Sequence, residues 1–256
     1  MGESNGQLSP PLLPLGAIHV AAGAHVADLP PVSLVAPPEC LYWQELDCTG
    51  DDGQADMLGN DTYGDCVPVS VLRLAQLACP YPRKPTLTDA SALFERWNGR
   101  PLDAMGTETG PAFDNLCQHG YYWAEQDLWV PRRFVIMRDG MAPDTNRIRM
   151  AISAFRGVQC SIDMPRDGFD FGSGFRIPPM PQSEGGHSIA LVGYTRDGDF
   201  MAYTWGGCYR MPLSFLLKFA VEVNAFPSRW LTPERLAAHG MDWDRLMAVA
   251  DAVRVS

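Results

Sequence analysis

The chain has no run of basic residues: among its 256 residues, 20 Lys and Arg stand against 30 Asp and Glu, a formal charge of −10. Phosphate binding needs a concentrated basic surface, so no nucleic-acid partner is expected. Long apolar runs are missing too. Ser188 to Tyr194 and Leu213 to Val223 are too short or too interrupted to span a bilayer, so no membrane partner is expected and the chain reads as soluble. Met1 to Gln7 is polar, with no basic segment leading into an apolar core, so no signal peptide is visible and a cytoplasmic setting is one expectation. The seven cysteines (Cys40, Cys48, Cys66, Cys79, Cys117, Cys160 and Cys208) lack the paired spacing of a zinc site or a disulfide scaffold. Cys79, Cys117, Cys160 and Cys208 fall in or beside apolar elements and read as small buried hydrophobes. His19 and His25 have no third ligand near them, so no metal and no cofactor is implied.

What is present is 46% hydrophobic residues, enough for one substantial core or one core with attached arms. Three regions are expected: an extended Pro-rich arm over 1–56, a main domain over 57–230 and a C-terminal helical extension over 231–256. The arm repeats Pro-Pro at Pro10-Pro11, Pro30-Pro31 and Pro37-Pro38, which forbids a long helix. Its apolar residues, among them Leu12, Leu13, Val20, Val26 and Leu34, are too many for a solvated linker. The arm is therefore expected to lie on a surface, the chain's own or a partner's, through self-association or a protein partner.

After the turn Asp51-Asp52-Gly53, the run Leu58 to Asp65 is loop chemistry leading straight into Cys66. Pro68 is tolerated only in a first helical turn, so a helix must begin at Asp65 or Cys66 and run to about Ala78. Its apolar residues fall on nearly every side, the mark of a helix buried on most faces. Further helices are predicted over Thr88 to Asn98, Pro111 to His119 and Thr145 to Phe155, with a strand over Arg133 to Met137. Strand patterns follow at Gly157 to Met164, His187 to Tyr194 and Phe200 to Trp205; the last two flank the hairpin signal Arg196-Asp197-Gly198-Asp199. Helices first and an antiparallel sheet second is the order of an α+β domain. The long Asp167 to Gly186 stretch reads as a lid or a mobile segment. Thr232-Pro233-Glu234 opens a C-terminal helical region that Gly240 divides before Asp242 restarts it.

A cysteine in the first turn of a buried helix sits where unpaired backbone N–H groups and the helix dipole favour a thiolate. A nucleophile also needs a base, and imidazole is the usual one. His187, opening a strand after Gly185-Gly186, is best placed for that work; His119 and His239 lie near helix ends and read as caps or surface residues.

Four segments resemble, in the same order, the landmarks of papain-like cysteine peptidases: Asn60 to Ser70, Gly157 to Asp163, Gly186 to Tyr194 and Thr204-Trp205-Gly206. The resemblance implies a papain-like α+β fold, in which a helical subdomain with a central Cys-bearing helix packs on an antiparallel sheet subdomain. It places the nucleophile on Cys66, the general base on His187, an oxyanion-binding amide on Asn60 and the shielding indole on Trp205. The position of the family's imidazole-orienting Asn is Tyr203 here, with Thr204 beside it; either hydroxyl can accept from an imidazole N–H, or the third role is vacant. Asp65 and Val67 also depart from the family pattern, and a carboxylate at Asp65 would oppose the helix dipole by raising the thiol pKa.

The Gly59-Asn-Asp-x-Tyr-Gly-Asp-Cys66 stretch is similar to a papain-like group met in bacterial and phage genomes, which implies a virion- or phage-associated setting. Two functions follow. One is a cysteine peptidase or amide hydrolase acting on a peptide or protein substrate. The other is a catalytically silent papain-fold structural or binding protein, held by its arm in a larger assembly such as a virion.

Overall fold

A computed structural model of the chain describes residues 17–18, 26–28, 57–78, 84–120, 122–123, 126–127, 133–138, 144–228, 231–238 and 241–252. His19, His25, His239, Cys40, Cys48, Cys79 and the Pro-Pro motifs lie outside the described residues. In chain order the elements are β1 (Ala17–Ile18), β2 (Val26–Asp28), α1 (Cys66–Ala78), α2 (Leu87–Asn98), β3 (Thr107–Glu108), α3 (Thr109–His119), β4 (Tyr122–Trp123), β5 (Gln126–Asp127), β6 (Arg133–Arg138) and α4 (Thr145–Phe155). Then come β7 (Val158–Pro165), β8 (Phe169–Asp170), β9 (Gly174–Phe175), β10 (Ser183–Tyr194), β11 (Phe200–Thr204), β12 (Gly207–Met211), α5 (Leu213–Phe219), β13 (Ala220–Ala225), α6 (Pro233–Ala237) and α7 (Trp243–Ala252).

Local chemistry sets the helix ends. Helix α1 starts where Pro68 permits, and all of its side chains are buried. At α2, Thr86 caps the Asp89 N–H while Asp89 returns a bond to the Thr86 backbone, and Gly99 closes the helix in the left-handed region (φ 64°). The Asp144 carboxylate accepts from the Arg147 N–H to open α4, and the Asp242 carboxylate does the same for α7 through Arg245.

The main sheet runs β12-β11-β10-β7-β13-β6-β2, antiparallel except for β2 on β6, with β1 joining β10 and β3 at one end. Its central strand, β10, divides two cores by strand alternation. Ile189 and Leu191 pack with α4, α5 and the C-terminal Leu231, Leu236, Met241 and Leu246. Ala190 packs on the other face with α1, α2 and α3, in a cluster that includes Cys66 and Ala17. A helical layer thus covers one face of the sheet around α1, the α+β arrangement expected from the sequence.

Three elements differ from the sequence expectation. Strand β10 begins at Ser183, four residues before His187, because Gly185 and Gly186 pair with Met164 and Asp163 of β7 instead of forming loop. The Asp167 to Gly186 stretch is no open lid: β8 and β9 form a short hairpin, and Phe169 packs on Phe171, Phe175, Tyr209 and Trp205. Ring-to-ring packing there supplies the order that Gly and Pro content concealed. Strand β11 ends at Thr204, leaving Trp205 in a turn.

Candidate active site

The nucleophile candidate, Cys66, is the first residue of α1 and fully buried. Helix α1 packs on β10, and one turn after Cys66 the Ser70 hydroxyl meets the Ser188 hydroxyl at 2.7 Å. That contact brings the start of α1 to the stretch of β10 that begins with His187. Ser188 continues into a buried polar chain: the Gln159 Nε2 group donates to Ser188 at 2.9 Å and to Ser161 at 2.8 Å, and Asn224 Nδ2 donates to Gln159 Oε1 at 2.7 Å. These bonds tie α1 to β10, β7 and β13 with geometry that plain apolar packing would not specify.

His187 is fully buried, and its imidazole is fixed from two sides. Nε2 lies 2.7 Å from the Thr204 hydroxyl, and the ring stacks on Trp205 with centroids 4.1 Å apart and planes 8° from parallel. Nδ1 is buried and has no hydrogen-bond partner among the described residues. Desolvation pushes the imidazole pKa down to about 3, so this His187 is neutral at ordinary pH.

Trp205 reaches the imidazole through a tight turn. Thr204 pairs with Gly207, so Trp205-Gly206 is a two-residue hairpin loop, with both residues at positive φ (42° and 73°). A bulky residue in the left-handed region is a genuine outlier, and such strain gathers at functional sites. The indole is also clamped from behind by Phe169, 4.5 Å between centroids. That contact comes from the β8–β9 hairpin, whose signal in the sequence is the run Phe169, Phe171, Phe175.

Of the two hydroxyls considered as orienters, Thr204 holds the imidazole. Tyr203 faces the opposite core, where its ring lies under the Arg73 guanidinium at 4.6 Å, as alternation along a strand requires. Asn60 is buried in the loop before α1, its Oδ1 without a partner among the described residues. Its backbone N–H donates to the Met57 carbonyl at 3.0 Å, in a turn where Leu58 and Gly59 both take positive φ (55° and 97°). Gly64 lets this loop touch the segment before β3: a Cβ there would lie 2.5 Å from the Gly106 nitrogen. His119 is exposed at the end of α3.

Across from the loop, Ala17 of β1 pairs with Gly186, the neighbour of His187, and with Thr107 of β3. The described part of the arm therefore lies on the chain's own sheet, bridging β10 and the edge that continues from the Asn60 loop. Among the described residues no group of three or more His, Cys, Asp or Glu could hold a metal, and no helix is long and apolar enough to cross a membrane.

Solved structures share this fold. Xylellain, a cysteine protease from Xylella fastidiosa, superposes with a TM-score of 0.59 at 13% identity over 84% of this chain and 96% of that one. The chain has the papain-like fold. A digestive procathepsin L 3 of Tenebrio molitor larval midgut follows at TM-score 0.50 and 14% identity, covering 80% of this chain and 75% of that one. The proform of the ragweed pollen cysteine protease Amb a 11 also gives 0.50 at 14% identity, over 76% of this chain and 66% of that one. Identity this low carries the fold and no more. No known family profile matches the chain, and no curated protein matches it by sequence.

Proposed function

We propose that the chain is a papain-like cysteine peptidase or related amide hydrolase, with Cys66 as nucleophile and His187 as general base. The observation that carries this reading is the state of His187. Its Nε2 is engaged by Thr204 and its face by Trp205, while the buried Nδ1 is left as the nitrogen that can receive a proton.

In the reaction, Nε2–H donates to Thr204 and Nδ1 takes the Cys66 proton as the sulfur attacks a carbonyl carbon. The α1 N-terminus favours the developing thiolate. Negative charge then moves to the carbonyl oxygen, where the Asn60 side-chain amide and the Cys66 N–H donate. His187 returns its proton to the leaving amine, and water releases the acyl group in a second round. Trp205 keeps bulk water from the imidazole. Substrate binds as an extended peptide or protein segment, beginning at the Gly186 edge that Ala17 now fills.

The full burial of Cys66 and His187 also supports a second reading, a silent papain-fold protein anchored by its arm in a larger assembly. The virion setting is open to either reading and rests on the sequence resemblance. Labelling the native protein with iodoacetamide or an epoxysuccinyl probe separates the two. One cysteine, Cys66, reacting fast at pH 6 and slowed in His187→Ala supports the hydrolase. Uniformly slow labelling, indifferent to His187, supports the silent protein.

A further inference from the structure

Asp65 stands immediately before α1, the position where an Asp normally caps a helix by accepting from the N–H of the second or third residue. The third residue here is Pro68, which has no N–H. Asp65 is fully buried, and neither of its carboxyl oxygens has a hydrogen-bond partner among the described residues. An N-cap carboxyl that caps nothing, held next to the candidate nucleophile, is costly to keep ionised.

Its surroundings offer no compensating charge. A Cβ on Gly59 would lie 2.8 Å from Leu87 Cδ1, 3.0 Å from Tyr63 Cδ2 and 3.1 Å from Asp65 Oδ2, so the carboxyl rests against the loop that carries Asn60. Its titratable neighbours along the chain are Asp61, a like charge, Tyr63 and Cys66, and the Leu87 side chain that α2 brings to the same loop is apolar. Among the described residues no cation pairs with Asp65. Burial, partly offset by its own backbone N–H and reinforced by Asp61, pushes this carboxyl up to about 8.

We propose that Asp65 works as a neutral carboxylic acid, a positioning residue that spares Cys66 a neighbouring negative charge and lowers the thiol's reactivity when it ionises. This deepens the hydrolase reading and rests on it. The step is a proton loss to solvent with no bond made elsewhere. Because the two residues are neighbours in the chain, ionising one disfavours ionising the other: a Cys66 thiolate favours the proton on Asp65, and an Asp65 carboxylate favours the proton on Cys66. The carboxyl that would oppose the helix dipole is thereby silent over the range where a peptidase works.

The test uses the full chain, with rates of iodoacetamide labelling at Cys66 followed by peptide mass spectrometry from pH 6 to 9.5. Wild type and the isosteric Asp65→Asn should agree within about twofold at pH 6, and above pH 8 the variant should react about fivefold faster or more. Infrared difference spectra give a second readout. A protonated-carboxyl band should persist in wild type at pH 6.5, vanish as pH passes about 8 and be missing in Asp65→Asn, with Glu222→Gln as the control for the other buried acid. Parallel labelling rates at every pH, or no Asp65 band at pH 6.5, overturn the proposal; if Asp65→Asn does not fold, the wild-type band with the Glu222→Gln control decides alone. His187→Ala keeps the two readings apart: labelling indifferent to His187 removes the hydrolase, while the effect of Asp65 on the thiol is judged by the Asp65→Asn comparison.

Discussion

Thr204 gives His187 one hydroxyl where the papain-like pattern has an amide, and a hydroxyl is a weaker clamp because it can rotate. Thr204→Val keeps the volume and removes the bond, leaving Nε2 buried and unsatisfied. The expected outcome is a stability loss of about 1–3 kcal/mol in a urea melt and slower Cys66 labelling, with Thr204→Ser restoring most of the rate. Wild-type stability in Thr204→Val would show that the bond contributes nothing. Asn60 separates two kinds of chemistry. Alkylation by iodoacetamide forms no oxyanion, whereas hydrolysis does, so Asn60→Ala should leave labelling within about twofold and cut hydrolysis about 100-fold or more. Equal losses in both assays would reassign Asn60 to holding the loop.

At the scale of elements, the buried chain Ser70, Ser188, Gln159, Ser161 and Asn224 fixes how α1 meets the sheet. Gln159→Leu conserves bulk and takes the Gln159 partner from the Asn224 amide, Ser161 and Ser188, leaving Ser188 with Ser70 alone. A loss of roughly 2–4 kcal/mol by urea melting is expected, and a neutral substitution would mean that water replaces the bonds. Much of this layer was readable in the sequence. Pro68 fixes the start of α1, and the Arg196 to Asp199 turn sets the β10–β11 hairpin, seen as Tyr194 opposite Phe200. Leu213 to Val223 was not, since a continuous apolar run does not say where α5 ends and β13 begins. Strands β1 and β3 have two residues each, too few to show a period; only their pairing makes them strands. Within the site, Thr204 and Tyr203 were equivalent hydroxyls until the strand's pleat assigned them to opposite faces.

For the whole molecule, two buried groups set opposite pH dependences. His187 is depressed from 6.5 to about 3, so the stability it contributes is complete above 6.5 and is lost as pH falls toward 3. Asp65 is raised from 3.8 to about 8, so its contribution is complete below 3.8 and is lost as pH climbs to 8. Between 3.8 and 6.5 the native state holds one extra proton on Asp65 and lacks one on His187, and the two slopes cancel. Of these two groups only Asp65 still contributes from 6.5 to 8, and its share is a loss of about 2 kcal/mol across that interval. Thermal melts at both pH values should show the decline in wild type and its absence in Asp65→Asn. An equal decline in both proteins would assign it to other groups.

On the hydrolase reading, the β1 end of the arm sets how open the site is. Ala17 is a buried residue whose backbone pairs with Gly186 on one side and Thr107 on the other, so under the proposed function it occupies the edge assigned to substrate next to His187. A strand held by so short a pairing is attached by few hydrogen bonds, each worth about 0.5–1.5 kcal/mol net. Ala17→Pro removes the N–H of that residue without touching the proposed machinery. Release of the strand should raise the Cys66 labelling rate about tenfold at pH 6, while the thermal melt drops by only a few degrees, about what one lost strand end costs a core built on β10 and α1. A labelling rate unchanged by Ala17→Pro would mean that the probe already reaches the thiol by another face, and that the β1 pairing braces the sheet instead of closing the cleft.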